Sequence, residues 1–157
     1  MKALTLHRPW PNAIFKYGKD IENRSWPPPL SVIGRQIAIH AGKAVDGAGI
    51  VKLLEIERGA EAAFAMDAHR LAGNPQEIVG VVTIKGYILI TRTGLKMSCH
   101  LDPSELAVMS SSWFSGPYGW VLSNPQLLKK PISCKGYQRL WNVPSDIAQR
   151  IYDDTWR

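Results

Sequence analysis

The sequence predicts an α+β fold in which a small β-barrel is flanked by helices, and three observations carry that expectation. Short apolar runs with period-two alternation, bounded by Pro and Gly, recur along the chain and outnumber the helical stretches. The helix-forming composition is concentrated around residues 44–74, so it reads as a helical insertion between strands rather than as a repeating unit. The chain has 157 residues, 45% hydrophobic and 20% charged. That size and composition suit one globular domain spanning 1–157, able to bury about 70% of its unfolded surface.

Taken in order, Lys2 to Leu6 alternates as a first strand, and Pro9 and Pro11 break it and permit a helix start. Ala13 to Tyr17 continues a short helix that Gly18 stops. Asp20 to Trp26 reads as a strand with Glu22 and Arg24 on one face and Asn23 and Ser25 on the other. Pro27 to Pro29 is a stiff connector, and Gln36 to His40 is a short buried strand ended by Gly42. Two helices are expected between Gly47 and Ala72, with Ile50, Leu53 and Leu54, then Ala62, Ala63 and Met66, at helical spacing and Gly59 as the break.

Glu77 to Ile90 is a long Val- and Ile-rich strand. A helical turn starts at Asp102 and Pro103, and Tyr118 to Leu122 is a further strand. The chain bends at Asn124 and Pro125 before Gln126 to Leu128. Ser145 as cap, Asp146 in the first turn and Ile147 four residues before Ile151 signal a last helix.

The formal net charge is +6, and residues 1–43 alone carry a net +5 from Lys2, Arg8, Lys16, Lys19, Arg24, Arg35 and Lys43 against Asp20 and Glu22. Such a surplus is either the footprint of a nucleic-acid surface or a solvated face with a positive bias. The two cysteines, Cys99 and Cys134, lie far apart and His7, His40, His69 and His100 are scattered, so no structural metal site is expected. No apolar run approaches the ~18 residues that span a bilayer. A cytoplasmic protein with reduced thiols and no cofactor is the expectation. Phosphate-loop, dinucleotide, GxSxG and HExxH signatures are absent, which disfavours enzymes of those types.

The densest chemistry lies between His7 and Trp26. Lys19, Glu22 and Arg24 form K-x-x-E-x-R: a point charge, a carboxylate and a planar five-donor fork. They are either a ligand-binding trio or an ion-paired strand edge. Trp10, between two prolines, is a stacking wall or a core anchor. In WFSGPYGW, Trp120 belongs to the core, whereas Trp113 and Phe114, after three serines, are expected to be exposed and able to stack on a flat ligand. His40 reads as a hydrogen-bonded structural residue, and Lys43 as a charge offered to a phosphate.

The order of these blocks carries a resemblance. L-x-x-P-W at Leu6 to Trp10, G-K-x-I-E-x-R-x-W at Gly18 to Trp26 and IAIHAGK at Ile37 to Lys43 come first. G-x-V-x-I at Gly80 to Ile84, GPYGWVL at Gly116 to Leu122 and P-I-x-C-K-G-x-Q-x-L-W at Pro131 to Trp141 follow. Together they resemble the ASCH domain family of the PUA-like superfamily over nearly the whole chain.

The resemblance implies a small PUA-like β-barrel flanked by helices, with RNA or a modified nucleoside bound in a cleft over the barrel. Relatives include RNA-binding coactivator modules, an amidohydrolase that deacetylates N4-acetylcytidine, and a ribonuclease. In amidohydrolase-like members the motif is K-x-x-T-x-R with the lysine and threonine catalytic; here Lys19 and Arg24 match and Glu22 replaces the hydroxyl.

The leading expectation is therefore an RNA- or nucleotide-binding domain. Its ligand residues are Trp10, Lys19, Glu22, Arg24, His40, Lys43, Trp113 and Phe114. The alternative is a metal-independent hydrolase acting on a modified nucleoside or on RNA, with Lys19 and Glu22 catalytic. A protein-docking module that presents its aromatics is a third.

Overall fold

The computed structural model describes residues 1–58 and 64–156, with the backbone alone for 64–67. Its elements run β1 (Lys2–Arg8), α1 (Trp10–Lys16), β2 (Ile21–Arg24), β3 (Gln36–Val45), α2 (Gly47–Arg58), α3 (Phe64–Ala72), β4 (Glu77–Ile90), β5 (Lys96–Cys99), β6 (Tyr118–Ser133), β7 (Leu140–Asn142) and α4 (Ser145–Thr155). The strands form one mixed sheet in the order β2-β6-β4-β3-β1-β7, with β5 added to β4. The fold is α+β, with both expected helices in the 44–74 insertion. The expected break at Gly59, and the side chains of Ala62, Ala63 and Met66, lie outside the described residues.

The chain divides into two compact units built from interleaved segments: 1–18, 38–81 and 126–157 form the first, 19–37 and 82–125 the second. In the first, β1 pairs parallel with β3, with Thr5 opposite His40, and antiparallel with β7, with Ala3 opposite Trp141. Its core packs Ala3, Ala38, Ile78, Val81, Leu128, Ile132, Trp141 and Val143 against Ile147 and Ile151 of α4. Those two isoleucines are one helical turn apart, so one face of α4 is apolar and docks. Ser145 is the first helical residue and Pro144 the cap, one position earlier than expected, because Ala148 donates to the Pro144 carbonyl at 2.9 Å.

Arg8 explains why β3 does not stop at Gly42. Its guanidinium donates to the carbonyls of Gly42 at 3.1 Å, Lys43 at 2.7 Å and Gly73 at 2.8 Å, and β3 continues to Val45 opposite Arg8 itself. Glycine is needed at 42 for a different reason: a Cβ there would stand 3.1 Å from the Leu6 carbonyl oxygen and from the Thr5 methyl. Between α2 and α3, the Arg70 fork holds the Glu57 carboxylate, whose pKa is pulled down to about 2 by Arg70 first and by the Tyr17 hydroxyl next.

In the second unit β2 pairs antiparallel with β6, placing Glu22 opposite Trp120 and Arg24 opposite Tyr118, and β4 pairs with β5. A 3-10 helix over Pro103–Ser110 begins where expected, and the Glu105 carboxylate accepts the Asp102 N–H at 3.0 Å. Trp120 is fully buried, with its indole N–H on the Trp26 carbonyl at 2.9 Å and the two rings edge to face at 4.7 Å. The bend at Asn124, which has a left-handed φ of 48°, does not end the strand: β6 runs through it as 16 residues. Neighbouring strands continue to supply ladder partners, so a local turn signal is absorbed as a kink.

Candidate functional site

The trio of the second unit is assembled by β2. Gly18 adopts a left-handed φ of 69°, which turns the chain so that Lys19 folds back over the strand it precedes. The Lys19 ammonium donates to the Ile21 carbonyl and to Glu22 Oε2 at 2.9 Å. Glu22 Oε1 faces Arg24 Nε at 3.6 Å, as expected for two residues on one face of a strand. Exposure decides the roles: Lys19 and Glu22 are 4% and 7% exposed, while the Arg24 side chain retains 23%. The carboxylate is thus buried and doubly compensated, and Arg24 is the member that meets solvent.

Trp113 corrects an expectation, since it is buried and not a free stacking face. Asn23, on the opposite face of β2 from the trio, donates to the Trp113 carbonyl at 2.7 Å and accepts the Ser115 N–H at 2.9 Å. The loop is thereby pinned to the strand and the indole is turned inward. Phe114 is half-buried and lies under the Lys96 ammonium at 5.3 Å from the ring centre. Gly119 admits that ring, because a Cβ there would stand 2.6 Å from Phe114 and 2.8 Å from Ile21.

Trp10, His40 and Lys43 belong to the first unit. Trp10 donates its indole N–H to Asp46 at 2.9 Å and rests on Gly49 of α2, where a Cβ would come within 2.9 Å of the ring. His40 and Lys43 do come together, in a cleft of about 230 Å³ lined by Thr5, His40, Gly42, Lys43, Gln76, Lys135 and Gly136. Sequence reasoning missed Gln76 and Lys135, which adjoin the ends of other strands. The P-I-x-C-K-G block contains Lys135, but nothing in its spacing relates it to His40.

His40 is enclosed by hydrogen bonds on both ring nitrogens. The Trp141 indole N–H donates to Thr5 Oγ1 at 3.0 Å, Thr5 Oγ1 is hydrogen-bonded to His40 Nδ1 at 3.3 Å, and His40 Nε2 lies 3.0 Å from the Cys134 carbonyl. A carbonyl only accepts, so Nε2 carries a proton and donates it to Cys134. Burial pushes the His40 pKa below its ordinary value, against the opposing pull of the Cys134 carbonyl. Both nitrogens are engaged, and His40 forms the wall of the cleft.

A pH dependence follows. The unfolded chain binds the His40 proton more readily than the folded one, so stability is full above about pH 6.5 and falls as pH drops toward the lowered folded pKa. Urea titrations at pH 7.5 and 5.5 should show this loss, and a His40→Gln variant should show a smaller one. Equal losses in the two proteins would remove His40 as the cause.

No protein-family model matches the sequence, and no curated protein matches it. Among solved structures, the crystal structure of ASCH from Zymomonas mobilis aligns with 97% of this chain and 93% of its own at a TM-score of 0.52 and 14% identity. A serine-to-alanine mutant of ZmASCH from the same organism aligns over 97% and 94% at 15% identity and a TM-score of 0.49. At such identity the backbone is what is shared, and by its backbone this protein has the ASCH domain fold.

Proposed function

We propose that the protein is an RNA- or nucleotide-binding domain whose ligand is met by Arg24, held in place by the buried Lys19–Glu22 pair. The observation that carries the reading is the gradient of burial along the trio. Lys19 and Glu22 are nearly sealed and bonded at 2.9 Å, and the partly exposed Arg24 side chain approaches the same carboxylate at 3.6 Å. An arginine fork pre-set in this way meets phosphate or a base edge with less ordering cost than a free side chain. The ASCH fold and the positive balance of the chain support the same class of ligand.

The geometry favours binding over turnover. The Lys19 ammonium is taken up by the Ile21 carbonyl and the Glu22 carboxylate, an arrangement that holds a charge in position rather than releasing a base or nucleophile. Phe114 is partly accessible for stacking, as are Trp26, Tyr87 and Tyr118 of the same unit.

Arg24 is also the right place to test the reading. Arg24→Gln should weaken binding of a single-stranded RNA by about tenfold and lower the salt slope by about one, measured by fluorescence anisotropy across a salt series. Arg24→Lys should restore the slope and only part of the affinity, since the fork is lost but the charge is kept. Unchanged affinity and slope in Arg24→Gln would refute the assignment.

A further inference from the structure

We propose that the cleft of the first unit is a phosphate site for a nucleotide, with Lys43 and Lys135 as the charge partners, Gln76 as a neutral donor and Tyr137 as the adjoining face for the base. The lining contains two lysines and no carboxylate. Neither lysine is ion-paired among the described residues: Lys43 is exposed, and Lys135 stands 5.6 Å above the Tyr137 ring. Two uncompensated ammonium groups on one concave wall select an anion. A volume of about 230 Å³ is below the usual range for a whole drug-sized ligand and suits one charged group with part of its carrier.

The cleft is also rigid where it needs to be. The Lys43 carbonyl is held by Arg8 at 2.7 Å, which fixes the backbone from which that side chain projects. Gln76 sits at a left-handed φ of 57°, its N–H on the Ala41 carbonyl at 2.7 Å and its carbonyl accepting from Cys134 at 3.0 Å. Lys135 follows Cys134 directly, so the same bond sets its origin. Gly136 lies against the His40 ring, where a Cβ would stand 2.2 Å from His40 Cε1 and 2.8 Å from Thr5 Oγ1. The imidazole nitrogens are not offered to the ligand, because both have partners within the fold.

Tyr137 supplies the second element of recognition. It is 55% exposed, its ring packs edge to face on Trp141 at 5.5 Å, and it shares Lys135 with the cleft. A phosphate at Lys43 and Lys135 therefore lies beside an exposed, supported aromatic surface of the kind on which bases stack. The inference rests on the nucleic-acid reading only for the choice of a nucleotide as carrier; the anion site stands on the cleft itself.

The test is calorimetric titration of the full chain at low salt with adenosine 5′-monophosphate, inorganic phosphate and adenosine. The nucleotide should bind best, phosphate more weakly and adenosine not measurably. The double variant Lys43→Gln, Lys135→Gln changes only exposed side chains, so it should fold normally and lose at least about tenfold in affinity for both phosphate-containing ligands. Tyr137→Ala should weaken the nucleotide alone.

Equal nucleotide affinity in wild type and double variant, or adenosine binding as tightly as its monophosphate, would overturn the site. Phosphate binding as tightly as the nucleotide would overturn the role of Tyr137 and support the anion site. Repeating the nucleotide titration with Arg24→Gln separates the two proposals. Unchanged binding there supports an independent site, and it leaves the RNA result at Arg24 to be decided by its own measurement.

Discussion

Glu22→Ala is expected to destabilise the protein by about 3–5 kcal/mol, because it leaves the Lys19 ammonium buried without its carboxylate. Lys19 is 4% exposed and bonded to Glu22 at 2.9 Å, so solvent cannot take over the lost partner without the loop opening. For a domain of this length each kcal/mol moves the melting temperature by roughly 2–4 °C, which makes the loss easy to see by circular dichroism. The double change Lys19→Met, Glu22→Leu removes both charges together and should recover most of that stability, since apolar replacements of buried pairs are often neutral or better. A Glu22→Ala melting curve within a degree of wild type would show that the pair is solvated and that the trio is an ordinary strand edge. This prediction bears on function as well, because unfolding alone is enough to weaken RNA binding in a Lys19 or Glu22 variant. Arg24, which keeps solvent contact, separates the two effects.

The second large effect is expected at the residue paired with Glu22 across the ladder. Trp120→Ala should cost about 3–5 kcal/mol, from lost apolar contact and the cavity left behind. Opposed residues in an antiparallel pair project to the same face, so the indole of Trp120 lies beside Glu22 and helps exclude water from the trio. It also satisfies the Trp26 carbonyl at 2.9 Å and meets the Trp26 ring edge to face at 4.7 Å. Trp120→Phe keeps much of the packing and removes the N–H, and should cost about 1–3 kcal/mol, the range for a buried carbonyl left without its donor. Urea denaturation monitored by fluorescence of the remaining tryptophans measures both. A loss below about 1 kcal/mol in Trp120→Ala would mean that the ring does not close the core of this unit.

Much of the local architecture is legible along the chain. The alternation from Glu77 to Ile90 gives β4 with its observed ends, and the apolar spacing of Ile147 and Ile151 gives the docked face of α4. Glu22 and Arg24 do share a strand face, and Trp120 is core. The failures have a common cause in long-range partners. β5 over Lys96–Cys99 and β7 over Leu140–Asn142 are short and weakly patterned, and exist because β4 and β1 offer edges to pair with. Trp113 follows a polar run that reads as surface, yet Asn23, 90 residues earlier, turns it inward. The charge surplus of residues 1–43 also reads differently in three dimensions: Arg8 is engaged by three carbonyls, and Lys19 and Arg24 face one carboxylate.

The α+β class, the strand that carries Glu22 and Arg24, and the chemistry available in K-x-x-E-x-R can all be read along the chain. These depend on periodicity and on near neighbours, which a linear pattern records. That Lys19 is sealed while Arg24 is not, and that burial lowers the His40 pKa, arises in three dimensions. The tertiary fold alone brought Lys43 and Lys135, 92 positions apart in the chain, to the same cleft. Burial and the juxtaposition of distant charges are set by which strands pair and what covers them, and no local spacing encodes that.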